Sequence, residues 1–170
     1  MMFSREFIPI IIDIEASGFD PLSYPIEVGL VLENGTRYST LVKPVTEWQH
    51  WDSSAERLHH IQRETLQQYG KPVMEVALKL NQLLDGKTIY SDGWVVDKPW
   101  LDNLFFRAGI DRSFFISPLE MILNEQQMEY WHEIKNTVIA ETDLQRHRAS
   151  SDAWVIQQTF VRTLALLNTA

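Results

Sequence analysis

An α/β fold, a mixed β-sheet with helices on its faces, is what this sequence predicts. Three observations carry that expectation. Three strand-like segments follow one another at the start of the chain, and an Asn34-Gly35 pair joins the second to the third. From there on, helical and strand-like segments alternate, which adds strands to the sheet through helical connections. The chain then ends on a long apolar helical run.

The elements follow in order. Residues 7–14 are rich in isoleucine and apolar apart from Asp13, as suits a strand buried on both faces. Pro9 is tolerable near the start of such a strand but not at its centre. Residues 18–25 carry Gly, Asp, Pro and Ser, the chemistry of a turn. Residues 26–33 make a second strand, Asn34-Gly35 a hairpin, and residues 36–42 a third strand, so the sheet opens as an antiparallel meander. One or two short helices fall within residues 53–70. Residues 72–84 form an amphipathic helix whose Val73, Val76, Ala77, Leu80 and Leu83 or Leu84 share one side. A short strand at 87–90 leads into a helix over about 96–108, stopped by Gly109. A last strand is expected at 114–116, a helical stretch over 119–140, and a closing helix over 152–167.

Composition bounds the function. The 170 residues fit one domain spanning 1–170, and 45% of them are apolar, enough for a sizeable core. No cysteine is present, which removes disulfides, thiolate metal sites and a cysteine nucleophile. The apolar run near the N-terminus is too short for a signal sequence and ends in acid. No segment approaches the ~18 apolar residues needed to span a bilayer. The expectation is a cytoplasmic protein with no membrane partner. With a net charge of −8 and no basic stripe, the chain is poorly suited to coat a duplex. An anionic substrate would have to be gripped locally, by a few cations or by metal ions.

The chemistry is concentrated in acids. Asp13 and Glu15 alternate with Ile14 on the first strand, so their side chains share a face, about 7 Å apart along the strand. Such a pair suits a hard divalent cation, or it simply marks a strand running out into solvent. Asp97 opens the mid-chain helix, where an acid favours the helix dipole without further purpose. Asp92 is a competing carboxylate a few residues earlier. His147 and Asp152 lie five residues apart in HRASSDAW. On one helix they would point about 140° apart. They converge only if His147 sits in the preceding loop and Ser150 or Ser151 caps a helix starting near Asp152.

Taken together, IIDIEASGF, VVDKPWLDNLFFRAG and HRASSDA resemble the three motifs of the DEDDh group of 3′→5′ exonucleases, which includes ribonuclease T, oligoribonuclease and the proofreading subunits of polymerases. The resemblance covers nearly the whole chain and implies a ribonuclease-H-like fold. It implies that Asp13, Glu15, Asp97 and Asp152 ligate two divalent ions, Mg²⁺ or Mn²⁺, with Asp13 between them. His147 would then be the general base, a role suited to imidazole near neutral pH. The substrate it implies is a 3′ end of single-stranded DNA or RNA, or a short oligonucleotide. Ala16, Ser17, Gly18 and Phe19 would lie against the terminal nucleotide, with Phe19 placed to stack on a base.

LHHIQRET resembles the family's His-Gly-Ile segment and puts His59 near that nucleotide, although His60 stands where the family has glycine. Asp92 stands where the family often has histidine, and Ala16 replaces the usual threonine. Glu27 matches a frequent family glutamate that need not touch metal. Arg146 and Arg148 could serve phosphate or be solvated loop charges. Most of the six tryptophans are expected in core or edge packing. Apolar helix faces could serve a homodimer or the core. The competing class is an inactive binding module of the same fold, against which the intact set of four acids and a histidine weighs. An aspartyl phosphohydrolase is disfavoured by Glu15 in place of a second aspartate.

Overall fold

The computed structural model describes residues 7–167. Its strands are β1 (Ile10–Ala16), β2 (Pro25–Val31), β3 (Arg37–Leu41), β4 (Thr88–Ser91) and β5 (Phe115–Pro118). The helices are α1 (Ser53–His59), α2 (Arg63–Tyr69), α3 (Val73–Leu84), α4 (Trp94–Ala108), α5 (Glu125–Glu141) and α6 (Ala149–Leu167). The sheet runs β3-β2-β1-β4-β5. The first three strands pair antiparallel as the expected meander, and β4 and β5 join parallel to β1.

Alternation along β1 divides the molecule. Ile10, Ile12, Ile14 and Ala16 enter the larger core, which α3 and α4 close with Val76, Leu80, Leu84, Leu101 and Leu104. Ile11 and Val31 enter a second core on the other side, against Ala153, Ile156 and Phe160 of α6. That second side also carries Asp13 and Glu15, beyond the last apolar contact. The tryptophans are all buried or half-buried, as expected; Trp48 stacks on Tyr24 with ring centroids 5.1 Å apart. No helix among the described residues is long and apolar enough to cross a membrane.

Several boundaries differ from expectation, each for a physical reason. Strand β1 begins three residues later than expected and runs on to Ala16, and Asp13 and Glu15 lie within it as expected. The Asn34-Gly35 turn spans residues 32–36: Asn34 Oδ1 accepts from the Thr36 amide at 3.0 Å, and Gly35 takes φ +80°, a left-handed conformation that glycine adopts freely. The strand expected at 114–116 forms at Phe115–Pro118. The helical stretch over 119–140 is broken in two. A 3₁₀ turn at Leu119–Ile122 ends before Asn124, whose side chain caps α5 by accepting from the Gln127 amide at 2.8 Å. The closing helix starts at Ala149, so Ser150 and Ser151 lie inside its first turn and do not cap it.

Candidate active site

Register brings the first acids together. In the β1–β2 ladder Asp13 faces Gly29 and Glu15 faces Glu27. A Cβ on Gly29 would stand 2.1 Å from the Ser150 amide nitrogen and 2.2 Å from the Ala149 carbonyl carbon. Glycine is therefore what lets the first turn of α6 lie directly on the strand. Glu27, 2% exposed, anchors that turn. It accepts from Arg148 through Nε at 3.1–3.2 Å and Nη2 at 2.7 Å, and from the Ala149 amide at 3.0 Å. A buried carboxylate so fully bonded holds the helix start in place.

Asp152 is thereby delivered to β1. One oxygen each from Asp13, Glu15 and Asp152 lie within 4.8 Å of one another. His147 sits in the loop before α6 with φ +58°, and its amide donates to Asp152 Oδ2 at 3.0 Å. Arg146 approaches the other oxygen, Nε to Oδ1 2.9 Å.

Asp97 arrives from the opposite side, in the first turn of α4. It is 3% exposed, and its Oδ2 accepts from Ser91 Oγ at 2.5 Å. Its carboxylate also accepts from the Ile14 amide. Asp92, the competitor, is exposed and pairs with Lys135 at 3.0 Å.

A cleft of about 230 Å³ gathers Asp13, Glu15, Asp97, Asp152 and His147, with Ala16, Gly18, Phe19 and His59 also on its walls. Phe19 is exposed at the rim, its ring 6.1 Å from that of Trp100. Ser17 is turned away from the cleft: it is fully buried, and its Oγ accepts from the Tyr24 amide at 3.1 Å. His59 is 2% exposed, and its Nδ1 accepts from the Ile61 amide at 3.0 Å. The ring proton therefore lies on Nε2, which is buried without a hydrogen-bond partner. His60 ends α1 at φ +58°, a left-handed position of the kind glycine fills most easily.

Electrostatics mark the cluster as short of positive charge. Burial, then the charges of Asp97, Glu15, Asp152 and Asp92, hold Asp13 well above the usual carboxylate range. Burial, followed by Asp152 and Glu27, lifts Glu15 to about 7. Asp97 is also lifted to about 7 by burial, against the opposing Ser91 hydrogen bond. Asp152 is raised by burial, with Arg146 pulling the other way. Four crowded carboxylates offering only oxygen donors fit hard divalent cations, which would supply the missing charge.

Two contributors stand outside the motifs. Glu27 and Gly29 share with Val31 the face of β2 that meets α6, and in PIEVGLV the period of two shows them breaking an apolar pattern on one side. That interruption is the signal in the sequence. Neither arginine is a solvated loop charge: Arg148 is spent on Glu27, and Arg146 lies on Asp152.

No family profile and no curated protein sequence matches the chain. Solved structures do. The zinc-bound form of E. coli exonuclease I complexed with single-stranded DNA matches with a TM-score of 0.70 at 15% identity, over 94% of this chain and 42% of that one. E. coli exonuclease I in complex with a dA16 oligonucleotide matches with a TM-score of 0.69 at 14% identity, over 94% and 42%. Exonuclease I from Methylocaldum szegediense gives a TM-score of 0.69 at 14% identity, again over 94% and 42%. The chain spans less than half the length of these proteins. It shares their fold, the ribonuclease-H-like mixed sheet expected from the sequence.

Proposed function

We propose that this chain is a metal-dependent 3′→5′ exonuclease acting on single-stranded or short nucleic acids. One observation carries the reading. Asp13 and Glu15 from β1, Asp97 from α4 and Asp152 from α6 converge on one cleft beside His147, in a fold shared with exonuclease I solved on single-stranded DNA.

The four carboxylates would hold two Mg²⁺ or Mn²⁺ ions. Such ions, when bound, supply the positive charge that stabilises a pentavalent phosphorus and the departing alkoxide. His147 stands exposed at the cleft, where its imidazole takes a proton from the attacking water. The water oxygen joins phosphorus, and the bond from phosphorus to the 3′ oxygen of the preceding nucleotide breaks. The His147 amide meanwhile keeps Asp152 oriented. His59 offers the terminal nucleotide a donor that no protein group satisfies. Phe19 gives its base an apolar platform, and Gly18 lines the same cleft, its missing Cβ making room for His50, Asp52 and Ser23 behind it. Ala16 lines the same wall. Ser17 acts one step back, by bracing the loop through Tyr24.

The test uses 5′-labelled single-stranded RNA and DNA of several lengths with Mn²⁺, Mg²⁺ or EDTA, and compares wild type with His147→Ala and Asp13→Ala. A metal-dependent ladder shortening from the 3′ end, lost in both variants, is the expected outcome, and the faster polymer identifies the substrate. Folded protein with no cleavage under any condition would overturn the reading in favour of an inactive binding module.

A further inference from the structure

Among the described residues, Arg146 is the cation that touches one of the four clustered carboxylates. The contact is unusual in quality. Nε stands 2.9 Å from Asp152 Oδ1. Yet Nε, Nη1 and Oδ1 are all buried and none makes a directed hydrogen bond. Charge holds the guanidinium there, without the fork of donors that makes an arginine–carboxylate pair durable. The left-handed turn at His147 separates Arg146 from Arg148 and sends each to a different carboxylate. Asp152 is also one of the three acids whose oxygens already lie within 4.8 Å of one another. A guanidinium and a divalent ion on that carboxylate would repel each other at short range.

We propose that Arg146 is the cluster's resident counter-cation: it neutralises Asp152 in the metal-free protein, must leave that carboxylate when a divalent ion is taken up, and so sets the metal concentration at which the site fills. This rests on the metal-dependent reading above. Exchange of a singly charged guanidinium for a divalent ion at Asp152 needs no covalent step and adds one positive charge to the acid cluster. The two bound states oppose each other, so the coupling works in both directions.

The experiment is a Mn²⁺ titration of the intact protein by calorimetry, comparing wild type with Arg146→Ala, Arg146→Met and Arg146→Lys, and with Asp13→Asn as the site control. Arg146→Ala and Arg146→Met should tighten Mn²⁺ binding by about tenfold, within the usual span of coupling between two sites, while Arg146→Lys stays near wild type. Thermal midpoints provide the second readout. Arg146→Ala should melt below wild type in EDTA, and saturating Mn²⁺ should close that gap. An arginine with a purely structural role would leave the gap open in both conditions. Unchanged or weaker Mn²⁺ binding in the Ala and Met variants, with wild type binding through Asp13, would overturn the counter-cation alone. Wild type and Asp13→Asn binding Mn²⁺ equally would overturn the metal site itself, and this inference with it.

Discussion

Two arginines flank His147, and their two ion pairs differ in kind. Arg148 reaches Glu27 with two nitrogens, and Glu27 also takes the Ala149 amide. The hydrogen bond to Glu27 further raises the pKa of an already basic guanidinium. Arg146 meets Asp152 through a single close approach that leaves buried donors unsatisfied. A pair with its hydrogen bonds complete fixes geometry; an incomplete pair in the same loop remains exchangeable. The first seats the helix that carries Asp152. The second occupies Asp152 itself.

Breaking the complete pair should have the largest effect. Glu27→Ala strips an acceptor from Arg148 and from the Ala149 amide. Because Arg148 is about a third exposed, a cost of about 2–4 kcal/mol is expected, below that of a fully buried pair. A urea unfolding midpoint measures it, and 3′-end cleavage should fall with it as the first turn of α6 drifts. An unchanged midpoint would mean that contact at Gly29 alone seats the helix.

A smaller effect should appear with pH, on the side where carboxylates outnumber cations. Glu15 and Asp97, raised from the usual 4.5 and 3.8 to about 7, keep their protons in the folded metal-free chain where an unfolded chain has lost them. Folding then binds protons, so the stability these groups contribute is present below their unfolded pKa values and is lost as pH rises towards 7. Scanning calorimetry in EDTA should show the midpoint falling across that window. Added Mn²⁺ should raise the midpoint more at pH 7.5 than at pH 5, because the ion requires the ionised forms. A flat profile in EDTA would contradict the charge deficit of the cluster.

The smallest change is expected from Arg37→Ala. Its Nη2 donates to Ser150 Oγ and Ser151 Oγ, both at 3.0 Å, from an exposed position on β3. Loss of these bonds should cost no more than about 1 kcal/mol, with 3′-end cleavage nearly unchanged. A collapse of activity in this variant would shift the seating of α6 from Glu27 to the serines.

The start of α6 shows where reading the chain stops short. A Ser-Ser pair before an acid looks like a cap, so the helix was expected to begin near Asp152. The Ala149 amide is instead satisfied by Glu27, 122 residues away, so the helix begins three residues earlier and the serines turn to Arg37. The resemblance pointed to Asp97, with Asp92 a competing carboxylate nearby. Lys135 draws Asp92 outward, while Ser91 and the Ile14 amide hold Asp97 in the cleft.

What the chain determined by itself is local: the shared face of Asp13 and Glu15, the turn at Asn34-Gly35, and the amphipathic α3. Each rests on a period or a turn chemistry shared by near neighbours. Tertiary structure decided which carboxylates converge, that Gly29 admits α6, and that the two arginines divide between Glu27 and Asp152. Those outcomes depend on contacts between segments far apart in sequence, where close packing and burial, not local pattern, choose the partner.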